Sequence, residues 1–60
     1  MKIENNYLLI NTGVNNFEYD IPLWSLQTQH EKEDWLSHLK EKNWFTEEME
    51  KKFIKLTKDL

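Results

Sequence analysis

A chain of 60 residues that contains no cysteine must hold its fold together by packing alone. Disulfides, thiolate metal sites and thiol redox chemistry are closed to it. A domain this short buries only ~60% of the surface that its unfolded chain exposes. The compensation available is aromatic mass: Tyr7, Phe17, Tyr19, Trp24, Trp35, Trp44, Phe45 and Phe53. Each ring buries ~150–250 Å² when covered. One core, and therefore one domain over residues 1–60, is the expectation, with or without a partner subunit to complete it.

The first third of the chain has strand character. Phe17, Tyr19 and Ile21 alternate with Glu18 and Asp20. That is period 2, a strand with one dry face and one acidic face in water. Asn5-Asn6, Asn11-Thr12-Gly13 and Asn15-Asn16 are turn signals, because Asn and Gly tolerate positive φ. They bracket Tyr7-Leu8-Leu9-Ile10. The spacing predicts a hairpin, Tyr7–Asn11 against Phe17–Ile21, with Lys2–Glu4 as a short third strand. Pro22 donates no ladder hydrogen bond and closes the pairing. In the connector that follows, Trp24 and Leu26 are expected to fold back over the sheet.

The period then changes to helical. Thr28 with Glu31 three residues later forms a capping box, in which each side chain satisfies a free N–H of the other's backbone. The predicted first helix runs from Gln29 to Lys42, with Trp35, Leu36 and Leu39 as a narrow apolar stripe. Glu31, Glu33 and Asp34 come early and Lys40 and Lys42 late, which suits the helix dipole. Asn43 is read as its terminator through an αL conformation. Thr46 caps a second helix over residues 47–58, whose apolar positions are Met49, Phe53, Leu56 and Leu60 with Ile54 beside them. About three residues separate the helices, which defines an αα-hairpin or a more open corner. The expected class is α+β: a small β-hairpin, or three short strands, followed by two packed helices (ββαα). Trp44 and Phe45 fall at the corner, as packing or, for Trp44, as an anchor for a partner.

The longest continuous apolar run outside the helices is Leu8-Leu9-Ile10. That is far short of the ~18 residues a membrane span needs. No targeting segment is visible. A cytoplasmic protein is the expectation. The net charge is -3 and there is no arginine. The acidic excess lies entirely in residues 1–42, because the lysines and acids of residues 43–60 balance. Arginine is the preferred residue for bidentate contacts to bases and phosphates, so its absence lowers the expectation of nucleic-acid binding.

The order Tyr19-x-Ile21-x-Leu23, Thr28, Trp35, His38-Leu39-x-x-Lys42-x-Trp44, Thr46-x-Glu48 resembles a group of short uncharacterised proteins found in phage and other mobile elements. The resemblance covers roughly residues 17–56. It implies a mobile-element setting and the same strand-then-two-helix fold, and it carries no catalytic residues. Pro22 departs from the pattern, which usually has an ordinary polar residue there. For a phage-encoded chain the location becomes the host cytoplasm.

No enzyme activity is expected. Glu47, Glu48 and Glu50 are explained by the start of a helix, Ser25 and Ser37 lie in no nucleophile motif, and the single glycine excludes a glycine-rich phosphate loop. His30, Asp34 and His38 recur at i, i+4, i+8, a spacing that invites a metal. The outer pair is ~12 Å apart along the helix, too far for one ion. No metal and no cofactor is assigned. Two functional readings remain. In the first, the chain is a non-enzymatic accessory or inhibitor protein that binds another protein. The candidate residues are Glu18, Asp20, Glu31, Glu33 and Asp34, as one acidic surface selecting a basic host or defence protein, together with Trp44. Self-association as a homodimer belongs to this reading, through whichever sheet face lies away from the helices: Leu8 with Ile10, or Tyr7 with Leu9. In the second reading, the chain is a small DNA-binding or regulatory module. It would use Lys51, Lys55 and Lys58, with Lys52 adjacent, on the second helix.

Overall fold

The computed structural model describes residues 1–60. Three strands, β1 (Lys2–Glu4), β2 (Tyr7–Asn11) and β3 (Glu18–Pro22), form one antiparallel sheet in the order β1-β2-β3. A 3-10 turn over Leu23–Ser25 leads to helices α1 (Gln29–Lys40) and α2 (Glu47–Thr57). The α+β, ββαα arrangement is thus the fold, with the third strand present.

Asparagine makes the sheet possible. Asn5 and Asn6 both have positive φ, 54° and 68°, and link β1 to β2, where Glu4 pairs with Tyr7. Two consecutive positive φ values define the turn whose twist matches a hairpin. Asn15 and Asn16 repeat the device at 47° and 59°, and the Phe17 N–H closes that turn onto the Val14 carbonyl at 2.7 Å. Gly13, at φ 76°, completes the longer connection. Thr12 is buried there, and its hydroxyl donates to the Phe17 carbonyl at 2.8 Å.

Register decides the faces. Leu8 pairs with Ile21 and Ile10 with Tyr19, so these four side chains share the inner face. Leu8, Ile10 and Ile21 join Leu26, Leu39 and Phe53 in the buried core. Met1, Leu23, Trp35, Leu36, Phe45, Met49 and Leu56 close around it. The helices therefore cover one face of the sheet only.

Both helix starts follow the capping chemistry. Thr28 accepts from the Glu31 N–H at 3.1 Å, and Glu31 accepts from the Thr28 N–H at 3.0 Å. Thr46 accepts from the Met49 N–H at 3.2 Å. The helix ends differ from expectation. α1 stops at Lys40, two residues early, and Asn43 is not among the residues with positive φ. The Glu41 N–H bonds to the His38 carbonyl and the Lys42 N–H to that of Leu39, so the last turn tightens to i→i−3 bonding. That tightening ends the helix without a left-handed residue. α2 ends at Thr57, whose buried hydroxyl donates back to the Phe53 carbonyl at 2.8 Å.

Three apolar side chains lie where the sequence pattern did not predict. Phe17 is 54% exposed, because pairing begins at Glu18 and Phe17 still belongs to the turn that Asn15 and Asn16 make. Trp24 is 72% exposed, although Leu26 is buried as expected. A 3-10 turn has three residues per turn, so Leu23 and Leu26 align on the inner side and Trp24 points away. Leu60 is exposed too, since it lies beyond the end of α2; the buried residue on its side of the stripe is Thr57.

Candidate protein-interaction surface

The aromatic groups at the centre of the chain join three elements. Trp35 on α1 meets Tyr19 on β3 edge-on, with centroids 6.5 Å apart. Tyr19 in turn lies 5.5 Å from Trp44, and Trp44 lies 6.0 Å from Phe45. The Trp35 indole N–H donates to the Ser25 hydroxyl at 3.0 Å, and that hydroxyl donates to the Pro22 carbonyl at 2.7 Å. Trp44 is half-buried in this row. It works as corner packing, with one side left at the surface.

The five acidic candidates do not form one surface. Glu18 and Asp20 alternate with Tyr19 and Ile21, so they project from the outer face of the sheet. Glu31, Glu33 and Asp34 belong to α1, which covers the inner face. The sheet itself separates the two groups. Within α1 the carboxylates also have local partners. Glu31 is held in the capping box, Glu33 accepts from the Gln29 side-chain amide at 3.2 Å, and Asp34 lies 3.2 Å from His30 Nε2. His38 turns to the Trp35 ring, with centroids 5.8 Å apart. No group of three His, Cys, Asp or Glu side chains is placed to hold one metal ion.

The outer face of the sheet is the surface that no other element covers. Its centre is Tyr7, 42% exposed, with half-buried Leu9 and Pro22. Pairing places Lys2, Leu9 and Asp20 in one cross-strand row and Glu4, Tyr7 and Pro22 in the next. Asn11 and Glu18 follow. The patch is an apolar centre edged by Glu18 and Asp20 along β3 and by Glu4 on β1, where Lys2 lies 3.6 Å from Glu4. Of the two sheet faces left open by the sequence, the Tyr7 and Leu9 face is the free one. The sequence offers Pro22 as the end of the pairing and Glu4 as part of a short strand, and neither as part of a surface. Their membership follows from the register, which the Asn5-Asn6 turn sets.

The lysine candidates sit on the opposite side of the molecule. The core-facing residues of α2 are Phe53 and Thr57, flanked by Met49 and Leu56. At about 100° per residue, Lys51, Lys55 and Lys58 lie on the reverse side of the helix, and all three are exposed. Lys52 is turned about 100° from Lys51 and lines a gap with Met1, Ile10 and Met49 instead. Ile54, 51% exposed, stands beside the other three lysines. The remaining polar burial is accounted for: Thr12 and Thr57 are the buried polar residues, and no buried side-chain polar atom lacks a partner. No helix is long and apolar enough to cross a membrane.

Comparison with known protein families, with curated proteins and with solved structures finds no match for this chain.

Proposed function

We propose that this chain is a small non-enzymatic accessory or inhibitor protein of a phage or other mobile element, working in the host cytoplasm by binding another protein. The observation that carries the reading is the outer sheet face: Tyr7 exposed, Leu9 and Pro22 half-buried beside it, and Glu18 and Asp20 along its edge. Contiguous exposed apolar surface marks an interaction site more often than scattered apolar residues do. An acidic edge favours a basic partner, chiefly by raising the rate of encounter. Trp44 and the acids of α1 lie apart from this face and are secondary to it.

The alternative is a DNA-binding module, favoured by the alignment of Lys51, Lys55 and Lys58 opposite the core face of α2. Glu47, Glu48 and Glu50 occupy the first turn of that helix and oppose phosphate there. The two readings separate in one pair of assays. Affinity capture from a host lysate should yield one stoichiometric protein that is lost when Tyr7 and Leu9 are both replaced by Ser. A salt-dependent shift of random duplex DNA, abolished by Lys51→Glu, Lys55→Glu and Lys58→Glu, would establish the alternative instead.

A further inference from the structure

We infer that the outer sheet face also accepts the exposed face of α2 from a second copy of this chain, head to tail. This rests on the reading of that sheet face as the binding surface. The two faces lie on opposite sides of the molecule and are complementary in three respects. The first is charge. Lys51, Lys55 and Lys58 project from α2 beyond Glu47 and Glu48 of its first turn, and Glu18 and Asp20 project from β3. Lys51 and Lys55 are separated by ~6 Å of helical rise, and Glu18 and Asp20 by ~6.7 Å of strand, so two ion pairs can form in register. The second is the apolar centre. Ile54 is exposed at the edge of the lysine face, beside Lys58 in the gap between the two helices, and Tyr7 is exposed beside half-buried Leu9 among the acids. The third is length. The 11 residues of α2 span ~16.5 Å and the five of β2 or β3 span ~17 Å.

Because the two faces differ, the contact is heterologous and does not close on itself; it adds copies into an open chain. The patch is small, so the association is weak, with a dissociation constant on the order of 0.1–1 mM. It is also salt-sensitive, since exposed ion pairs are screened beyond a Debye length of ~10 Å at 0.1 M salt. A heterologous protein partner would compete for the same sheet face.

The test is small-angle scattering and NMR diffusion across a concentration series at low and high salt, on nuclease-treated protein. The compact monomer has a Cα radius of gyration of 10.8 Å. The radius and apparent mass should rise without saturating at two copies, and the rise should shrink at ~0.5 M salt. Glu18→Lys with Asp20→Lys should weaken association about tenfold, and so should Lys51→Glu with Lys55→Glu. Combining all four changes in one chain should restore it, as charge complementarity requires and a structural role for any one residue does not. All four positions are exposed, and circular dichroism should show each variant folded. A strict monomer to ~1 mM at low salt overturns the inference and leaves capture of a host protein untouched. A dimer that stops at two copies and ignores the lysine changes assigns the sheet face to a symmetric contact, and overturns it as well. Association seen in untreated protein and absent after nuclease treatment does the same in favour of nucleic acid.

Discussion

Leu39→Ala is the change that probes the fold most sharply. Leu39 is 0% exposed and belongs to the cluster that joins α1 to Leu8, Ile10 and Ile21 of the sheet and to Phe53 of α2. The substitution removes three carbon atoms, a transfer loss of about 2.4 kcal/mol at ~0.8 kcal/mol per buried methylene. A cavity adds to this where neighbours cannot collapse, giving about 2.4–5 kcal/mol in all. Natural domains hold roughly 0.05–0.15 kcal/mol per residue, which is ~3–9 kcal/mol for this chain. The variant is therefore marginal or unfolded. Urea titration followed by fluorescence reads this directly, since Trp35 and Trp44 are half-buried while Trp24 is exposed. With a slope of about 1 kcal/mol/M, the midpoint should fall by more than ~2 M. Ile54→Ala, at a half-exposed site outside the core, is the control and should move it by under ~0.5 M. Equal midpoints for Leu39→Ala and the wild type would mean that α1 does not seal the inner face of the sheet.

Smaller perturbations test the local chemistry. Thr28→Ala and Thr46→Ala should each cost ~1 kcal/mol through loss of an N-cap acceptor, measured as a fall in the urea midpoint. Asn16→Ala should cost ~1–2 kcal/mol because alanine pays for the left-handed backbone at φ 59°, whereas Asn16→Gly should melt at or above the wild-type temperature. Ser25→Ala leaves the Trp35 indole N–H without its acceptor and should cost about 1 kcal/mol in the same titration, with a change in tryptophan emission.

Features decided within a few residues of sequence were legible in the sequence. Both threonine caps accept from the backbone N–H three residues on, with the Glu31 side chain answering at Thr28, and both Asn-Asn turns depend on the tolerance of asparagine for positive φ. The buried stripe at Leu39 and Phe53 follows from helical period alone. What was not legible depends on where one element stops covering another. Phe17 obeys the alternation of β3 yet lies in the turn before the pairing begins. Trp24 is exposed because its segment winds as a 3-10 turn, and the three-residue spacing of Leu23 and Leu26 is the signal that would have revealed it. Asn43 resembles a left-handed terminator, but tightened bonding ends α1 before it. The acidic surface was divided for a topological reason: strand alternation sends Glu18 and Asp20 to one side of the sheet, while the buried Leu39 holds α1 on the other. Which of Leu8 and Leu9 faces out was open in sequence and is settled by the burial of Leu8 against Ile21.

That adjacent pair also supplies the most direct test of the functional account. Leu8 and Leu9 are neighbours in the chain with side chains on opposite faces of β2. In a methyl-labelled sample titrated with the protein captured from the host, the Leu9 methyl signals should shift or broaden together with the ring of Tyr7, while those of Leu8, sealed in the core, should hold their positions. Shifts confined to Ile54 and the amides of α2, with Leu9 unmoved, or a host lysate that yields no stoichiometric partner, would contradict the claim that this chain acts by binding another protein through the outer face of its sheet.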